Sequence, residues 1–238
     1  MTRPLRFLPG WGMRASVFDA LINELDATTT PSPDKGRAGK GFGHGTIRPP
    51  HGTLKDWAQH IASTLPPDTL LCGWSLGGML ALEIARQTPL AALVLIGTTP
   101  RFTQASDWPH AVSLEDFNAF ENLYHRDPAA LLHQFIQLQC MGDANPKSLA
   151  RTLTPHLADH THLGPGLNIL RHTDLRDITL NTRTLIIQSA QDRLCPLAAG
   201  QALAKQTGAH LHVIDKAGHA PHVSHPGDVA HAIKQFLQ

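Results

Sequence analysis

Residues 69–96 read TLLCGWSLGGMLALEIARQTPLAALVLI, and this stretch decides the fold. Thr69-Leu70-Leu71-Cys72 is a short apolar run of the kind buried on both faces of a parallel sheet. Gly73 to Gly78 is a turn, Met79 to Gln87 has helical spacing and stops before Pro89, and Ala91 to Ile96 is a second apolar run. The unit is strand, sharp turn, helix, strand, and its turn holds the pentapeptide Gly73-Trp74-Ser75-Leu76-Gly77. In a G-x-S-x-G turn the two glycines leave room for a backbone that presents the serine hydroxyl at the carboxyl edge of the sheet. The next helix starts there, so its free N–H groups and dipole favour a developing negative charge. Chance alone supplies such a pentapeptide in roughly one chain in ten of this length, glycine being about 7% of ordinary sequence. Ser75 therefore needs partners before it reads as a nucleophile.

Outward from this unit, Leu5 to Leu8 predicts a strand ending in the turn Pro9-Gly10-Trp11-Gly12. A helix N-capped by Ser16 is expected next, with Val17, Leu21, Ile22 and Leu25 on one face. Residues 28–52 are rich in Thr, Pro, Gly and Lys and read as an irregular loop. Thr53 to Leu65 returns to helical spacing and stops at Pro66-Pro67. From about Thr99 to Arg183 the pattern is helical with polar breaks. Thr184 to Ile187 and His210 to Ile214 then read as strands around a helix from Leu197 to Gln206, and Pro226 to Leu237 predicts a last helix. The expected architecture is one α/β domain over 1–238, a mostly parallel sheet with helices on both faces, interrupted by a helical insertion at 99–183 that is a candidate lid.

A serine hydroxyl is a weak nucleophile and needs a base, which in turn needs an orienting carboxylate. The elbow resembles that of the α/β-hydrolases, whose triad partners follow in the order Ser, acid, His, each after a sheet strand. Asp192 lies five residues beyond Ile187 and His219 five beyond Ile214. Asp215 competes as the acid but ends its strand directly, and the competing bases His222 and His225 lie further from the strand end. The triad reading is Ser75, Asp192 and His219. Backbone N–H groups of Leu76 and of Trp11 are placed to donate to an oxyanion.

Composition narrows the classes. The 238 residues carry a formal net charge of +1, which gives no electrostatic argument for nucleic acid or a membrane surface. Three widely spaced cysteines, Cys72, Cys140 and Cys195, form no C-x-x-C pair and fit a reducing cytosol. Met1 to Gly12 has no long apolar h-region, and no window reaches the roughly 20 apolar residues of a membrane span. Sixteen histidines raise a metal reading, yet neither His156/His160/His162 nor His219/His222/His225 matches a helical H-E-x-x-H, so no metal and no cofactor are expected. The expectation is a cytoplasmic, soluble monomer.

Several segments in order resemble the family of pimeloyl-[acyl-carrier protein] methyl ester esterases of biotin synthesis. They are Gly10-Trp11-Gly12, Gly73 to Gly78, Asp107-Trp108-Pro109, Phe135 to Gly142, Leu170 to Arg176 and Lys216 to Pro226. The resemblance implies the α/β-hydrolase fold, the triad named above, and hydrolysis of a methyl ester at the far end of a pimeloyl chain on acyl carrier protein. It also implies substrate contacts from Trp11, Trp74, Leu76 and the lid residues Phe135, Ile136, Gln137, Leu138 and Gln139. Lys147 and Arg151, four residues apart, are candidates for docking an acidic carrier; a solvated helix face is the alternative. The chain departs from the family at Pro9, where a histidine is usual, and at Gln134, where an arginine is usual. Of the usual strand and D-x-P-G-x-G turn, residues 28–51 keep only a resemblance at Gly41-Phe42-Gly43-His44-Gly45. Rival readings are a general short-chain carboxylesterase, a C–C bond or lactone hydrolase on the same fold, and a non-catalytic binding protein on that scaffold.

Overall fold

The computed structural model describes residues 3–27, 52–159 and 163–238. The irregular loop expected over residues 28–52 lies, apart from Gly52, outside the described residues.

Among the described residues, five strands form one sheet: β1 (Leu5–Leu8), β2 (Leu70–Trp74), β3 (Ala92–Ile96), β4 (Thr184–Ser189) and β5 (His210–Ile214). They lie side by side in chain order and all pairs are parallel, with Leu8 opposite Gly73, Trp74 opposite Ile96 and Ser189 opposite Ile214. A parallel sheet puts every strand's carboxyl end on one edge. The turn after β1, the Ser75 turn after β2 and the loops after β4 and β5 therefore meet there.

Side chains alternate across the sheet and feed two cores. Leu8, Leu71, Leu93, Leu95 and Ile186 pack with α2 (Leu54–Ala62), α3 (Leu76–Gln87) and α8 (Leu197–Thr207). Phe7, Cys72, Trp74, Val94, Ile96, Leu185 and Ile187 pack with α1 (Asp19–Asp26) and α10 (Pro226–Leu237) on the other side. Helix α3 is nearly all apolar and buried along its first nine residues, as a helix at the centre of such a sheet must be. Each fully buried Leu or Met there contributes on the order of 1.5–3 kcal/mol. Helix α2 begins with a capping box in which Asp56 accepts from the Thr53 N–H at 2.7 Å.

Among the described residues between β3 and β4 run four α-helices, α4 (Leu114–Arg126), α5 (Pro128–Cys140), α6 (Pro146–Leu153) and α7 (Gly164–His172). The ends of this segment are tied together. Arg176 bridges Asp174 and Asp107 at 2.8 Å each, Arg101 reaches Asp174 at 2.7 Å, and the Leu175 N–H donates to the Pro100 carbonyl.

Two sequence expectations need correction. Ser16 caps no helix: a 3-10 turn occupies Ala15–Phe18, α1 starts at Asp19, and the Ser16 hydroxyl is bonded to His156 Nδ1 at 2.8 Å. A serine hydroxyl can serve a distant side chain as readily as its own helix, and here the tertiary partner wins. The helix expected from Met79 starts at Leu76, directly after Ser75, because glycine lowers helix propensity on paper while the buried apolar face fixes the first turn. A short helix α9 (Pro221–Ser224) was not foreseen.

Candidate active site

Ser75 sits between β2 and α3 with φ +56° and ψ −122°, a backbone conformation that a residue with a Cβ adopts only under constraint. The constraints are visible. The Ser75 N–H donates to the Ile96 carbonyl at 3.0 Å, and the Ser75 carbonyl accepts from the N–H groups of Gly78 and Met79. A Cβ on Gly77 would lie 2.1 Å from the Leu8 carbonyl oxygen, so only glycine lets α3 approach β1 this closely. The G-x-S-x-G spacing thus buys the tight turn that carries Ser75. Leu76 is the first residue of α3, where helix geometry leaves the N–H without an internal acceptor.

His219 follows β5 and Asp192 follows β4. His219 Nδ1 donates to Asp192 Oδ2 at 2.8 Å, and both side chains are buried. Asp192 is itself held: its Oδ1 accepts from the N–H groups of Leu194 and Cys195, each at 2.9 Å, and its Oδ2 faces Gln188 Nε2 at 3.4 Å. With Nδ1 protonated toward the carboxylate, Nε2 is the lone-pair nitrogen, and it is buried without a hydrogen-bond partner. No hydrogen bond joins it to Ser75 Oγ; such contacts are often long until substrate binds. The ring stands beside the serine turn nonetheless, 5.6 Å from the Trp74 ring, whose Nε1 donates to the His219 carbonyl at 2.8 Å. An imidazole so arranged can take a proton at Nε2 and return it.

Asp215 is exposed at the end of β5, and His219 turns to Asp192 instead. His225 Nδ1 is bonded to the Ser224 hydroxyl. His222 is fully buried between Phe18 and Trp74, at ring distances of 4.9 and 4.6 Å, with neither nitrogen partnered.

Trp11 is buried beside the turn, its Nε1 donating to the Leu163 carbonyl at 2.9 Å and its ring meeting Phe135 edge-on at 5.1 Å and Phe120 at 5.4 Å. Gly10 lies against Trp74 and Ser75, and Gly166 at the start of α7 lies against Trp11 and Leu76. Of the expected lid contacts, then, Phe135 joins Trp11 and Leu76 in one core, whereas Ile136 is buried in the other with Cys140, Leu149 and Leu153. Gln137 is exposed, Leu138 half-buried, and Gln139 wholly buried with its carbonyl accepting from the His219 N–H at 2.9 Å. Lys147 and Arg151 are both exposed on α6.

Asp192, Cys195 and His219 place a carboxylate oxygen, a sulfur and a ring nitrogen within 4.8 Å of one another. These donors are committed elsewhere. The carboxylate already takes two main-chain N–H groups and the imidazole, and burial next to Asp192 raises the Cys195 thiol well above its ordinary value.

Sequence reasoning missed Gln188 and Asp143, and weighed His222 only as a rival base. Gln188 was legible only as a polar residue inside an apolar run. Burial, with the nearby charges of His219 and His156, pushes His222 down to about 3 from an ordinary 6.5. The unfolded chain therefore binds a proton there that the folded chain refuses between those values. Stability is full above about pH 6.5 and falls as pH drops toward 3. Thermal melts at pH 7.5 and pH 5 should show this loss, and His222→Phe, which suits the Phe18–Trp74 slot, should flatten it; an unchanged slope would remove His222 from the account.

A profile of the alpha/beta hydrolase family matches residues 7–232. The chain is 37% identical to the pimeloyl-[acyl-carrier protein] methyl ester esterase of Aromatoleum aromaticum, with all of both chains covered. It is 35% identical to the enzyme of the same name from Xylella fastidiosa, over 98% of this chain and 94% of that one. Its fold is similar to that of an esterase from Exiguobacterium antarcticum, with a TM-score of 0.81 and 20% identity, covering 99% of this chain and 92% of that chain. No helix among the described residues is long and apolar enough to cross a membrane. The chain belongs to the alpha/beta hydrolase family and, within it, to the pimeloyl-[acyl-carrier protein] methyl ester esterases.

Proposed function

We propose that the chain is a serine carboxylesterase that hydrolyses the methyl ester of a pimeloyl group carried on acyl carrier protein, in the cytoplasm and as part of biotin synthesis. The observation that carries the chemistry is the buried Asp192–His219 pair with a free Nε2, set on the same sheet edge as the strained Ser75 turn. The full-length identity to relatives of that name supports the substrate.

In the first step Ser75 Oγ adds to the ester carbonyl as its proton passes to His219 Nε2. The N–H groups of Trp11 and Leu76 receive the oxyanion, each such donor being worth about 3 kcal/mol in the barrier. The C–OMe bond breaks, the proton goes to the departing oxygen, and methanol leaves an acyl-enzyme. Water then attacks, giving its proton to the same Nε2, and Ser75 Oγ departs taking that proton back, which frees the pimeloyl carboxyl group on its carrier. No cofactor or metal enters either step. The helices of residues 99–183 act as the lid of a single domain, with Trp11, Trp74, Leu76 and Phe135 to Gln139 lining the acyl chain. An apolar wall of this kind suits a methylene chain and keeps water from it. Lys147 and Arg151 offer positive charge to the acidic carrier.

Complementation tests the substrate. Expression of the chain in a biotin-requiring strain that lacks its methyl ester esterase should restore growth without biotin. Failure at good expression, with a free short-chain ester turned over faster than the carrier-linked one, would leave a general carboxylesterase.

A further inference from the structure

The turn between α5 and α6 touches both loops that carry the Asp192–His219 pair. On the His219 side, the Gln139 carbonyl accepts from the His219 N–H at 2.9 Å, and the Ala144 N–H donates to the Lys216 carbonyl at 2.9 Å. The buried Asp143 carboxylate accepts from the Gly218 N–H at Oδ2, at 3.4 Å, and from the Asn145 N–H at Oδ1, at 2.9 Å. Three of the four residues from Lys216 to His219 are thus hydrogen-bonded to residues 139–144. The loop needs that hold, because Lys216 has φ +56°, a conformation an isolated lysine does not keep. On the Asp192 side, Gly142 has φ +86° and lies so close to the acid loop that a Cβ there would stand 2.1 Å from the Gln191 carbonyl oxygen.

We propose that this turn, with Asp143 as its buried anchor, is the support that holds the His219 loop against the Asp192 loop, so that the inserted helices position the base as well as cover the site. Asp143 is a positioning residue: it touches Gly218, not the reacting atoms. Its Oδ2 serves the Gly218 N–H on the His219 loop and its Oδ1 the Asn145 N–H of its own turn, and deleting them leaves the buried Gly218 donor unpaired, which costs the geometry as well as some stability. A displacement of about 1 Å at an imidazole that must meet both a carboxylate and a hydroxyl is enough to slow proton transfer substantially.

The inference rests on the serine mechanism proposed above, and its test separates the two. Wild type, Asp143→Ala, Asp143→Asn and, as a neighbour in the same turn, Met141→Ala would be assayed for kcat and KM on a carrier-linked methyl ester and for the rate of fluorophosphonate labelling at Ser75. Met141 has a side chain about half exposed and no part in the anchor. The expected result is a roughly tenfold fall in kcat and in labelling rate for Asp143→Ala, with KM within twofold, a smaller fall for Asp143→Asn, which keeps one of the two acceptors, and wild-type values for Met141→Ala. A rise in KM alone, or equal labelling rates in wild type and Asp143→Ala, would overturn the positioning role while leaving the serine mechanism in place. Should Asp143→Ala fail to fold, Asp143→Asn decides by the same split. A wild type that takes no label at Ser75 would overturn the mechanism and this inference with it.

Discussion

Ser75→Ala is expected to lower turnover of the carrier-linked methyl ester by about a millionfold, the scale on which loss of a triad serine or histidine acts. The size follows from the two-step route. Without Oγ there is no acyl-enzyme, and the proposed Trp11 and Leu76 donors can only polarise a bound ester toward water. Stability should barely change, since alanine keeps the Cβ and inherits the same positive φ, and the main-chain bonds from Ile96 to Met79 that fix the turn do not involve the hydroxyl. A thermal midpoint close to wild type together with lost labelling by a fluorophosphonate is the expected pair of readings. Equal ester hydrolysis by the two proteins would sink the triad.

Asp192→Asn should be the second largest loss, about ten-thousandfold in kcat with the fold kept. The reason lies in which way the amide must point. The N–H groups of Leu194 and Cys195 both aim at Oδ1, so the asparagine carbonyl will take that side and its NH2 will face His219 Nδ1. The imidazole must then accept at Nδ1 and carry its proton on Nε2, the nitrogen that should receive the serine proton. The base is present but in the wrong tautomer. A pH–rate profile and single-turnover acylation would show the defect in kcat rather than in KM, and a kcat within tenfold of wild type would contradict this account of Asp192.

How much of this was legible beforehand differs between fold and site. The five strands announce themselves because a parallel sheet covered on both faces needs apolar runs without alternation, and 70–74 and 92–96 are buried at every position. Even β5, whose outer residues are partly exposed, keeps enough of the run to be read. The elbow was legible because its glycines are demanded by close approach of main chain. Ser16 misled because capping chemistry is local and its actual partner, His156, is 140 residues away. The same limit applies at the site. The order of Ser75, Asp192 and His219 along the chain is a sequence fact, but what holds them is main chain: the donors of Leu194 and Cys195, the carbonyl of Gln139, the carbonyl of Ile96. Main-chain groups are the same at every position and leave no mark in the letters. Asp143 did leave one, an acid in a glycine turn, yet nothing local distinguishes it from an ordinary turn residue. The two cores likewise divide Phe135 from its neighbour Ile136, and only the packed helix could say which of the two faces Trp11.

The central claim is that Ser75, served by His219, opens a methyl ester borne on a carrier. Intact-mass measurement of methyl-pimeloyl acyl carrier protein, incubated with wild type or with Ser75→Ala, tests it most directly. The account predicts that wild type removes the mass of one methylene from the carrier and releases an equal amount of methanol, while Ser75→Ala leaves the carrier unchanged. A carrier left untouched by wild type, or demethylated equally by both proteins, would contradict it.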